Sequence, residues 1–383
     1  MNTIKNDKYL QTDTPIEDIP ELVYERKEVE ELKRRIDGYF NGKEPAMTRL
    51  ISGPSGSGKT ISILYVVYNF IKQNPQFSRE FIYVNGTQVR TPKAMFNYLS
   101  QQLGAREEKG NMSSLSESIE KSINESQTKK IIIIDEVDKI YKNSRESPKY
   151  LFLHSLNRMN SRPKPAIILL TNEFNLTKNF ASELRDSMIE MTFDAYTSED
   201  ILKILRKRAN YCLNTNSFII DDLAKIAKEV YQNPIGGDKV NIRYALNILS
   251  QAAILSQEKN KTITEVLDEA IGHVKIDNYS KLLRKYNRHI LLLIKALCEL
   301  KQSSSIGIYK FMNPDIEYYK IKEEFYKSLD NNYLKPISEV QFRRYIEQLV
   351  DENLLSRPHK ARYCFLDDAG SIIEAISKIE KRG

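Results

Sequence analysis

One stretch of the sequence has the residue types and spacing of a phosphate-binding loop. It lies between an apolar run and a helix-like run and reads Gly53, Pro54, Ser55, Gly56, Ser57, Gly58, Lys59 and Thr60. The glycines let the backbone curl so that successive N–H groups point at one phosphate, and the N-terminus of the following helix adds partial positive charge. We expect Lys59 to reach the β- and γ-phosphates of ATP, and Thr60 to place its hydroxyl on Mg²⁺.

Two acidic residues, Asp135 and Glu136, directly follow the apolar run Ile131–Ile134. They fall at the carboxyl end of a predicted strand, which is where α/β sheets place ligands. Asp135 can hold Mg²⁺, and Glu136 is placed to act as the general base that polarises the attacking water. Alternatively, Asp135 only caps the helix that begins near Val137. The phosphate-binding loop favours the catalytic interpretation, because both patterns belong to one phosphoryl-transfer site.

An amide side chain, Asn172, follows the next apolar run along the chain, residues 166–170. An amide at this edge of the sheet could orient the water beside the γ-phosphate. Asparagine is also common in ordinary turns, so the residue by itself does not separate the two interpretations.

The elements that must position these residues alternate between strands and helices. Strands are predicted at residues 50–52, 81–85, 131–134 and 166–170, and helices at 21–40, 61–71, 93–103 and 115–126. Continuous β-branched runs are typical of parallel strands covered on both faces. The pattern predicts a doubly wound α/β core over residues 21–196, preceded by an extended or mobile arm over residues 1–20.

From Ser198 onward the strand signal stops and only helical patterns follow. Helices are predicted at residues 201–209, 220–231, 240–256 and 264–273, which we interpret as a helical lid over residues 197–277,. The last region, residues 278–383, has predicted helices at 288–300 and 321–329 and a third that starts at Ser338 with a capping box to Gln341,. A basic, hairpin-like turn at residues 357–366 follows them. Helices that end in a hairpin predict a C-terminal winged helix-turn-helix domain.

Bulk composition describes an ordinary soluble chain with a basic end. Of the seven net positive charges of the 383-residue chain, five lie between Lys281 and Arg382, where nineteen Lys and Arg face fourteen Asp and Glu. The apolar runs are too short to span a bilayer, and the N-terminus lacks the apolar core of a signal peptide. Three scattered cysteines, Cys212, Cys298 and Cys364, form neither a disulfide framework nor a metal spacing, which indicates a reducing cell interior such as the cytoplasm or nucleoid,.

The order of phosphate loop, acidic pair, Asn172 and helical lid resembles the AAA+ ATPases. More narrowly, the chain resembles the archaeal and eukaryotic replication initiators, the family of the largest subunit of the origin recognition complex and its cell-division-cycle relative. The narrower resemblance rests on short matches: Pro20, Leu22, Arg26 and Glu28; Tyr83-Val84-Asn85 with Thr91-Pro92; Asp135–Lys139; Phe193–Thr197 with Ile204, Leu205 and Arg208; and Asn241–Leu246. It implies a phosphate-loop AAA+ domain that binds ATP or ADP with Mg²⁺ and hydrolyses ATP slowly, as a switch.

The resemblance also implies roles for residues outside the loop. Arg243 matches the lid arginine that touches the γ-phosphate, and a guanidinium on a mobile helix can report the nucleotide state. Tyr196 and Arg208 match positions that border the nucleotide. Arg185 is the candidate arginine finger that reaches the ATP of a neighbouring copy. Arg243 could instead be an ordinary arginine on the surface of a helix.

For DNA, the exposed face of the helix from Ser338 carries side chains that can pair with guanine and adenine edges in the major groove: Gln341, Arg343, Arg344 and Gln348,. Basic side chains on the following turn suit phosphates or the minor groove: Arg357, His359, Lys360 and Arg362,. The resemblance adds Arg90 and Lys93, which match a second DNA-contacting insertion in the ATPase domain. A solvated helix with a basic loop, or a winged helix that binds protein, is the alternative.

Together these observations predict an ATP-dependent replication initiator whose partners are double-stranded origin DNA, further initiator copies and the replicative helicase. A DNA-bound negative regulator of origin firing or transcription would share the same motifs. So would a motor ATPase, such as a clamp loader or branch-migration helicase, or a signalling ATPase whose winged helix binds protein. Turnover, ring formation and DNA affinity separate these classes.

Overall fold

The computed structural model describes residues 3–12, 15–18, 20–105, 112–142, 153, 156–157, 161–180, 182–233, 235, 240–304, 316–352, 354–359, 362–365 and 368–381. Contacts along the chain divide it into two compact units. The first, which we call the sheet unit, is Asp13–Tyr196. The second, the helical unit, combines Met1–Thr12 with Thr197–Gly383. The four-part division expected from the sequence stays a prediction.

The sheet unit is built on five parallel strands in the order β2-β3-β4-β1-β5. The strands are β1 Thr48–Ser52, β2 Phe81–Asn85, β3 Ile131–Asp135, β4 Ala166–Thr171 and β5 Met188–Thr192. Its helices are α1 Lys27–Phe40, α2 Lys59–Gln73, α3 Gly86–Val89, α4 Pro92–Gln102, α5 Met112–Ser126, α6 Val137–Lys142 and α7 Ser182–Asp186. The predicted α/β class with a parallel sheet is confirmed.

Strand β3 lies inside the sheet, between β2 and β4, and is covered on both faces. Ile132 and Ile134 lie in a core with side chains of α4 and α5, whereas Ile131 and Ile133 lie in a core with side chains of α1 and α2. Successive residues of a strand face opposite sides of the sheet, so a strand covered on both faces must be apolar at every position. Asp135 is the last residue of this strand and is buried like the isoleucines before it.

The helical unit begins with four helices: α8 Ser198–Cys212, α9 Ile220–Gln232, α10 Ile242–Lys259 and α11 Ile263–Leu283. The sequence predicted an extended or mobile arm at the N-terminus, but the structure packs its first part against α8. Ile4 forms an antiparallel bridge with Leu213, and the backbone N–H of Lys5 donates to the Cys212 carbonyl at 2.7 Å. Leu10 is buried, so this segment gains both backbone pairing and apolar burial,.

The C-terminal part has the element order of a winged helix. A helix and a short strand, two helices and a hairpin follow one another, and then a last helix: α12 Arg288–Ser304, β6 Ile316–Glu317, α13 Tyr318–Asn331, α14 Glu339–Asp351, β7 Leu355–His359, β8 Arg362–Phe365 and α15 Ala369–Glu380. The three strands form an antiparallel sheet in the order β6-β8-β7. The predicted hairpin is present, and Ser338 Oγ caps α14 by accepting the Gln341 N–H at 3.2 Å.

Three local predictions differ from the structure. The first long helix begins at Lys27 rather than at residue 21, because Pro20–Leu22 forms a separate 3₁₀ turn. Helix α11 continues through residues 277–279, where a crossing into the next region was expected, because Tyr279 and Leu283 are buried in the core of the C-terminal part. Strand β5 and helix α15 were not predicted. Among the helices described, none is both long enough and apolar enough to cross a membrane.

Candidate nucleotide site and basic C-terminal surface

The phosphate-binding loop connects β1 to α2 and needs glycine at two places for different reasons. Gly58 has φ 89°, a left-handed conformation, and a Cβ there would lie 2.2 Å from the Tyr196 hydroxyl oxygen. A Cβ on Gly53 would lie 2.4 Å from the Phe193 carbonyl oxygen. Both distances are shorter than any side chain tolerates, so the loop is held close to the chain that follows β5.

The ammonium group of Lys59 joins this loop to the end of β4. Nζ donates to the carbonyl oxygens of Gly53 at 2.8 Å and Pro54 at 2.9 Å, and to Asn172 Oδ1 at 2.9 Å. Lys59 is only 6% exposed, so these oxygens take the place of water as partners of its ammonium group,. The structure therefore brings together Lys59 and Asn172, two residues that the sequence assigned to one site.

A second group of contacts lies at the ends of β2 and β3. Asp135 Oδ2 accepts two hydroxyl hydrogen bonds, from Thr60 Oγ1 and from Tyr83 Oη, each at 2.8 Å. Burial raises the pKa of Tyr83, and the negative charge of Asp135 raises it further, so the phenol stays a donor,. Asp135 Oδ1 accepts the N–H of Glu136, the residue before α6, at 2.8 Å. This contact is not the bond to a first-turn N–H that a helix cap makes, so the helix-cap interpretation gains no support from it.

Glu136 occupies a strained corner that packs against the start of α3. Its φ is 50°, which is uncommon for a residue with a side chain, and Gly86 is needed beside it because a Cβ there would lie 2.3 Å from the Glu136 carbonyl oxygen,. The Thr87 hydroxyl donates to Glu136 Oε2. Arg90 Nε donates to the Thr87 carbonyl at 2.9 Å, which connects a predicted DNA contact to this corner.

Arg26, which the sequence indicated only through the family match, forms hydrogen bonds with the phosphate-binding loop and with the chain that follows β5. Its guanidinium donates to the carbonyl oxygens of Ser57 at 3.2 Å and Asp194 at 3.3 Å, and it pairs with Glu28 at 2.9 Å. The guanidinium carbon lies 5.2 Å from the centre of the Tyr196 ring,. Tyr196 is buried and contacts the loop near Gly58, and its place at the border of the nucleotide stays a prediction.

The other arginines predicted for the site lie in various surroundings. Arg185 is exposed on α7, and its Nε lies 3.9 Å from Asp186 Oδ1. Arg243 is exposed in the first turn of α10, where its backbone N–H donates to Asn241 Oδ1. Arg208 is buried on α8, and its Nη1 donates to the carbonyl oxygens of Tyr9 at 2.9 Å and Gln11 at 3.3 Å. The nucleotide-sensing roles of these arginines stay predictions.

Basic side chains are exposed on the C-terminal surface, largely where the sequence placed them. Arg343 and Arg344 are exposed on α14, and Gln341 and Gln348 are half-buried there. Arg357 is exposed on β7, with its guanidinium 5.7 Å from the centre of the Tyr363 ring. The backbones of His359 and Arg362 belong to β7 and β8, and Lys360 lies outside the described residues. In the sheet unit, Arg90 and Lys93 are exposed beside the first turn of α4.

Sequence reasoning missed Tyr83, Thr87 and Arg26 as members of the site. Tyr83 and Thr87 lie on a neighbouring strand and on the helix after it, and only the parallel register of β2 with β3 sets them beside Asp135 and Glu136. The sequence signal that could have pointed to this part of the site is the polar residue at the carboxyl end of each predicted strand, because α/β sheets bind ligands there.

The strand, glycine-rich loop, helix, acidic pair and strand-end amide define a nucleotide-binding protein of the phosphate-loop AAA+ class. A family model described as an AAA domain matches residues 44–180. Over 298 residues the chain is 24% identical to the ORC1-type DNA replication protein of Desulfurococcus amylolyticus, a match that covers 75% of this chain and 74% of that relative.

Solved structures share the whole fold. The Aeropyrum pernix ORC1 protein in complex with DNA matches with a TM-score of 0.70 and 18% identity, and the match covers 100% of both chains. The Aeropyrum pernix ORC2 protein in its ADPNP–ADP complexes matches with a TM-score of 0.67 and 16% identity, over 99% of both chains. These comparisons confirm the resemblance to replication initiators of the AAA+ class that was expected from the sequence.

Proposed function

We propose that this protein is an ATP-dependent DNA replication initiator that binds duplex origin DNA and uses bound ATP as a conformational switch. The proposal depends chiefly on four side chains that meet at one edge of the sheet: Lys59, Asn172, Thr60 and Asp135. The same chain also exposes arginines on the second helix of a helix-turn-helix. The names of its relatives support DNA replication as the process.

The residues of the site fit a nucleotide with Mg²⁺. A Cβ on Gly53 or Gly58 would collide with Phe193 or Tyr196, so the curled backbone of the phosphate-binding loop depends on glycine at both positions,. The Thr60 hydroxyl and the Asp135 carboxylate lie 2.8 Å apart and supply the oxygen ligands that Mg²⁺ prefers,. Bound Mg²⁺ would neutralise charge that develops on the phosphate oxygens. Thr60 and Asp135 would hold that ion, and Tyr83 orients the carboxylate.

The remaining side chains of the site have separate roles in the transfer of the phosphoryl group to water. Lys59 supplies a fixed positive charge for the phosphates, and its present partners are oxygens that a phosphate oxygen can replace,. Asn172 orients the attacking water, and Glu136 accepts the proton of that water after its carboxylate leaves the Thr87 hydroxyl,. Slow turnover of ATP is what the resemblance to the replication initiators implies.

The arginines that follow the core would connect the nucleotide to the rest of the molecule. We assign Arg243 to the γ-phosphate and Arg208 and Tyr196 to the border of the nucleotide. Arg185 is exposed, as an arginine finger that reaches into a neighbouring copy must be,. These assignments make further initiator copies and the replicative helicase the expected protein partners.

The DNA interface would combine groove readout with phosphate contacts. Arg343 and Arg344 suit guanine edges in the major groove, and Arg357 with the rest of the hairpin suits phosphates or the minor groove. Arg90 and Lys93 would add a second contact from the sheet unit. The solved Aeropyrum pernix ORC1 protein, which has the same fold, was determined in complex with DNA.

The decisive experiment measures duplex affinity with and without ATP at one fixed salt concentration. A 40-base-pair mixed-sequence duplex should bind the wild type, and the double variant R343A/R344A should bind at least tenfold more weakly. The control K72A/K121A removes the same charge from exposed lysines of α2 and α5 and should bind like the wild type. Equal affinity of all three proteins would refute the groove assignment.

One observation favours a second function, that of a DNA-bound regulator that keeps ATP without hydrolysing it. The Thr87 hydroxyl donates to Glu136 Oε2, so one carboxylate oxygen of the candidate base already has a partner. Replacing Thr87 with valine removes this donor and should raise basal ATP turnover several-fold. A nucleotide that survives purification of the wild type, with turnover absent there and measurable in the variant, would favour the regulator.

A further inference from the structure

A three-donor cluster surrounds the carboxylate of Glu339 in the first turn of α14. Tyr318 Oη donates to Oε1 at 2.8 Å, and Arg343 Nε donates to the same oxygen at 3.3 Å. The Lys322 ammonium forms an ion pair with Oε2. Tyr318 and Lys322 belong to α13, so the cluster joins both helices of the helix-turn-helix.

Tyr318 fixes this carboxylate in space. Its ring packs edge-on against Phe342, with 5.5 Å between ring centres, and lies 6.2 Å from the ring of Tyr363 on β8. Phe342 and Tyr363 belong to the buried core of the winged helix. Lys322, together with the Tyr318 hydroxyl, lowers the pKa of Glu339 to about 2, so the group is ionised throughout the physiological range,.

The same carboxylate sets the orientation of Arg343. The bond to Glu339 uses Nε, which leaves Nη1 and Nη2 at the outer end of a side chain that is 67% exposed. Guanine is read by two parallel donors that reach O6 and N7 together. A guanidinium held by its Nε presents such a fork with less conformational entropy to lose than a free one.

Glu339 also weakens the attraction between two nearby cations and the phosphates of DNA. Lys322 and Arg343 would otherwise be two cations free to contact any phosphate, which strengthens binding to every sequence equally. A fixed carboxylate beside them offsets that attraction, because like charges on Glu339 and phosphate repel.

We propose that Glu339 is a specificity-determining residue of the DNA interface: it positions Arg343 for a guanine edge and limits the contacts of Lys322 and Arg343 with phosphates. The inference rests on the proposed DNA-binding function and deepens it. An acidic residue in the first turn also stabilises a helix through its dipole, so the test must separate DNA readout from stability.

The test compares E339Q with E347Q, which makes the same charge change at an exposed position of the same helix. Both proteins and the wild type select from duplexes with 20 random base pairs, and they are titrated with a mixed-sequence duplex over a range of salt concentrations. E339Q should lose about 5- to 150-fold discrimination at one guanine of the selected sequence. Its plot of log affinity against log salt should steepen by about one to two units, as one or two additional phosphates are contacted.

E347Q should keep the wild-type guanine preference and salt slope. R343K retains the positive charge but lacks the two parallel donors of the guanidinium, so it should lose the guanine preference. It is the second variant to measure if E339Q folds poorly. A lower melting temperature for E339Q, with the selected sequence and salt slope unchanged, would overturn the inference and leave Glu339 a structural residue. Failure of the wild type to bind any duplex would refute the proposed function itself.

Discussion

Replacing Gly86 with alanine should separate nucleotide binding from hydrolysis. A Cβ at this position would lie 2.3 Å from the Glu136 carbonyl oxygen and 2.9 Å from the Asp135 carbonyl oxygen, whereas ordinary contacts begin at 3.4 Å. Both obstacles are backbone atoms, which cannot rotate away as a side chain can. The corner that carries the acidic pair must therefore move by about 1 Å.

That displacement has different consequences for stability and for rate. Overpacking of this kind costs about 1–3 kcal/mol of folding free energy. A misplacement of about 1 Å in a catalytic group lowers a rate by about 10²-fold, which corresponds to about 2.7 kcal/mol on the barrier. Lys59 and the glycines of the phosphate loop are not displaced, so nucleotide affinity should change by less than about tenfold.

The assay is single-turnover hydrolysis of ATP bound to the purified protein, with nucleotide affinity and melting temperature measured on the same samples. Gly272 is the matched control, because it lies inside α11 and an added Cβ would meet no atom within 4 Å apart from its chain neighbours and the backbone of its own helix. G272A should hydrolyse ATP like the wild type and gain about 0.5–1 kcal/mol of stability. Wild-type turnover by a well-folded G86A protein would refute the close approach of Gly86 and Glu136 as a requirement for catalysis.

Three further predictions follow from the same contacts. K59A should lose the rise in melting temperature that saturating ATP gives the wild type, about 2.7 kcal/mol of stabilisation at one hundred times Kd, and an undiminished rise would count against the phosphate loop. R26M should destabilise the sheet unit by about 3 kcal/mol in denaturant titration, because it leaves Glu28 buried and unpaired, whereas R34M at an exposed site should change stability by less than about 0.5 kcal/mol,. The folded pKa of Glu339 is about 2 against an ordinary 4.5, so its stabilising effect is complete above pH 4.5 and is lost as the pH falls towards 2,. The difference in melting temperature between wild type and E339Q should accordingly be present at pH 6 and shrink at pH 3, and a constant difference would contradict the assigned ion pairs.

The sequence alone determined the features whose signal is local or has a fixed spacing. The loop from Gly53 to Thr60 is recognisable because phosphate binding demands glycine, lysine and a hydroxyl residue at set intervals. The run Ile131–Ile134 could be assigned to a covered strand because both faces of that strand are buried, and Asp135 follows at the position where ligands bind. The basic helix and hairpin at the C-terminus were visible in the same way.

Only the tertiary structure decided which distant residues meet. Thr60 and Asp135 are 75 positions apart, and Tyr83 and Thr87 reach the acidic pair only because β2 and β3 pair in parallel register. Strand β5 escaped prediction because an edge strand needs no continuous apolar run,. Thr3 meets Ser256 across 253 positions. Such contacts depend on the free energy of packing the complete chain, and local residue preferences do not predict them.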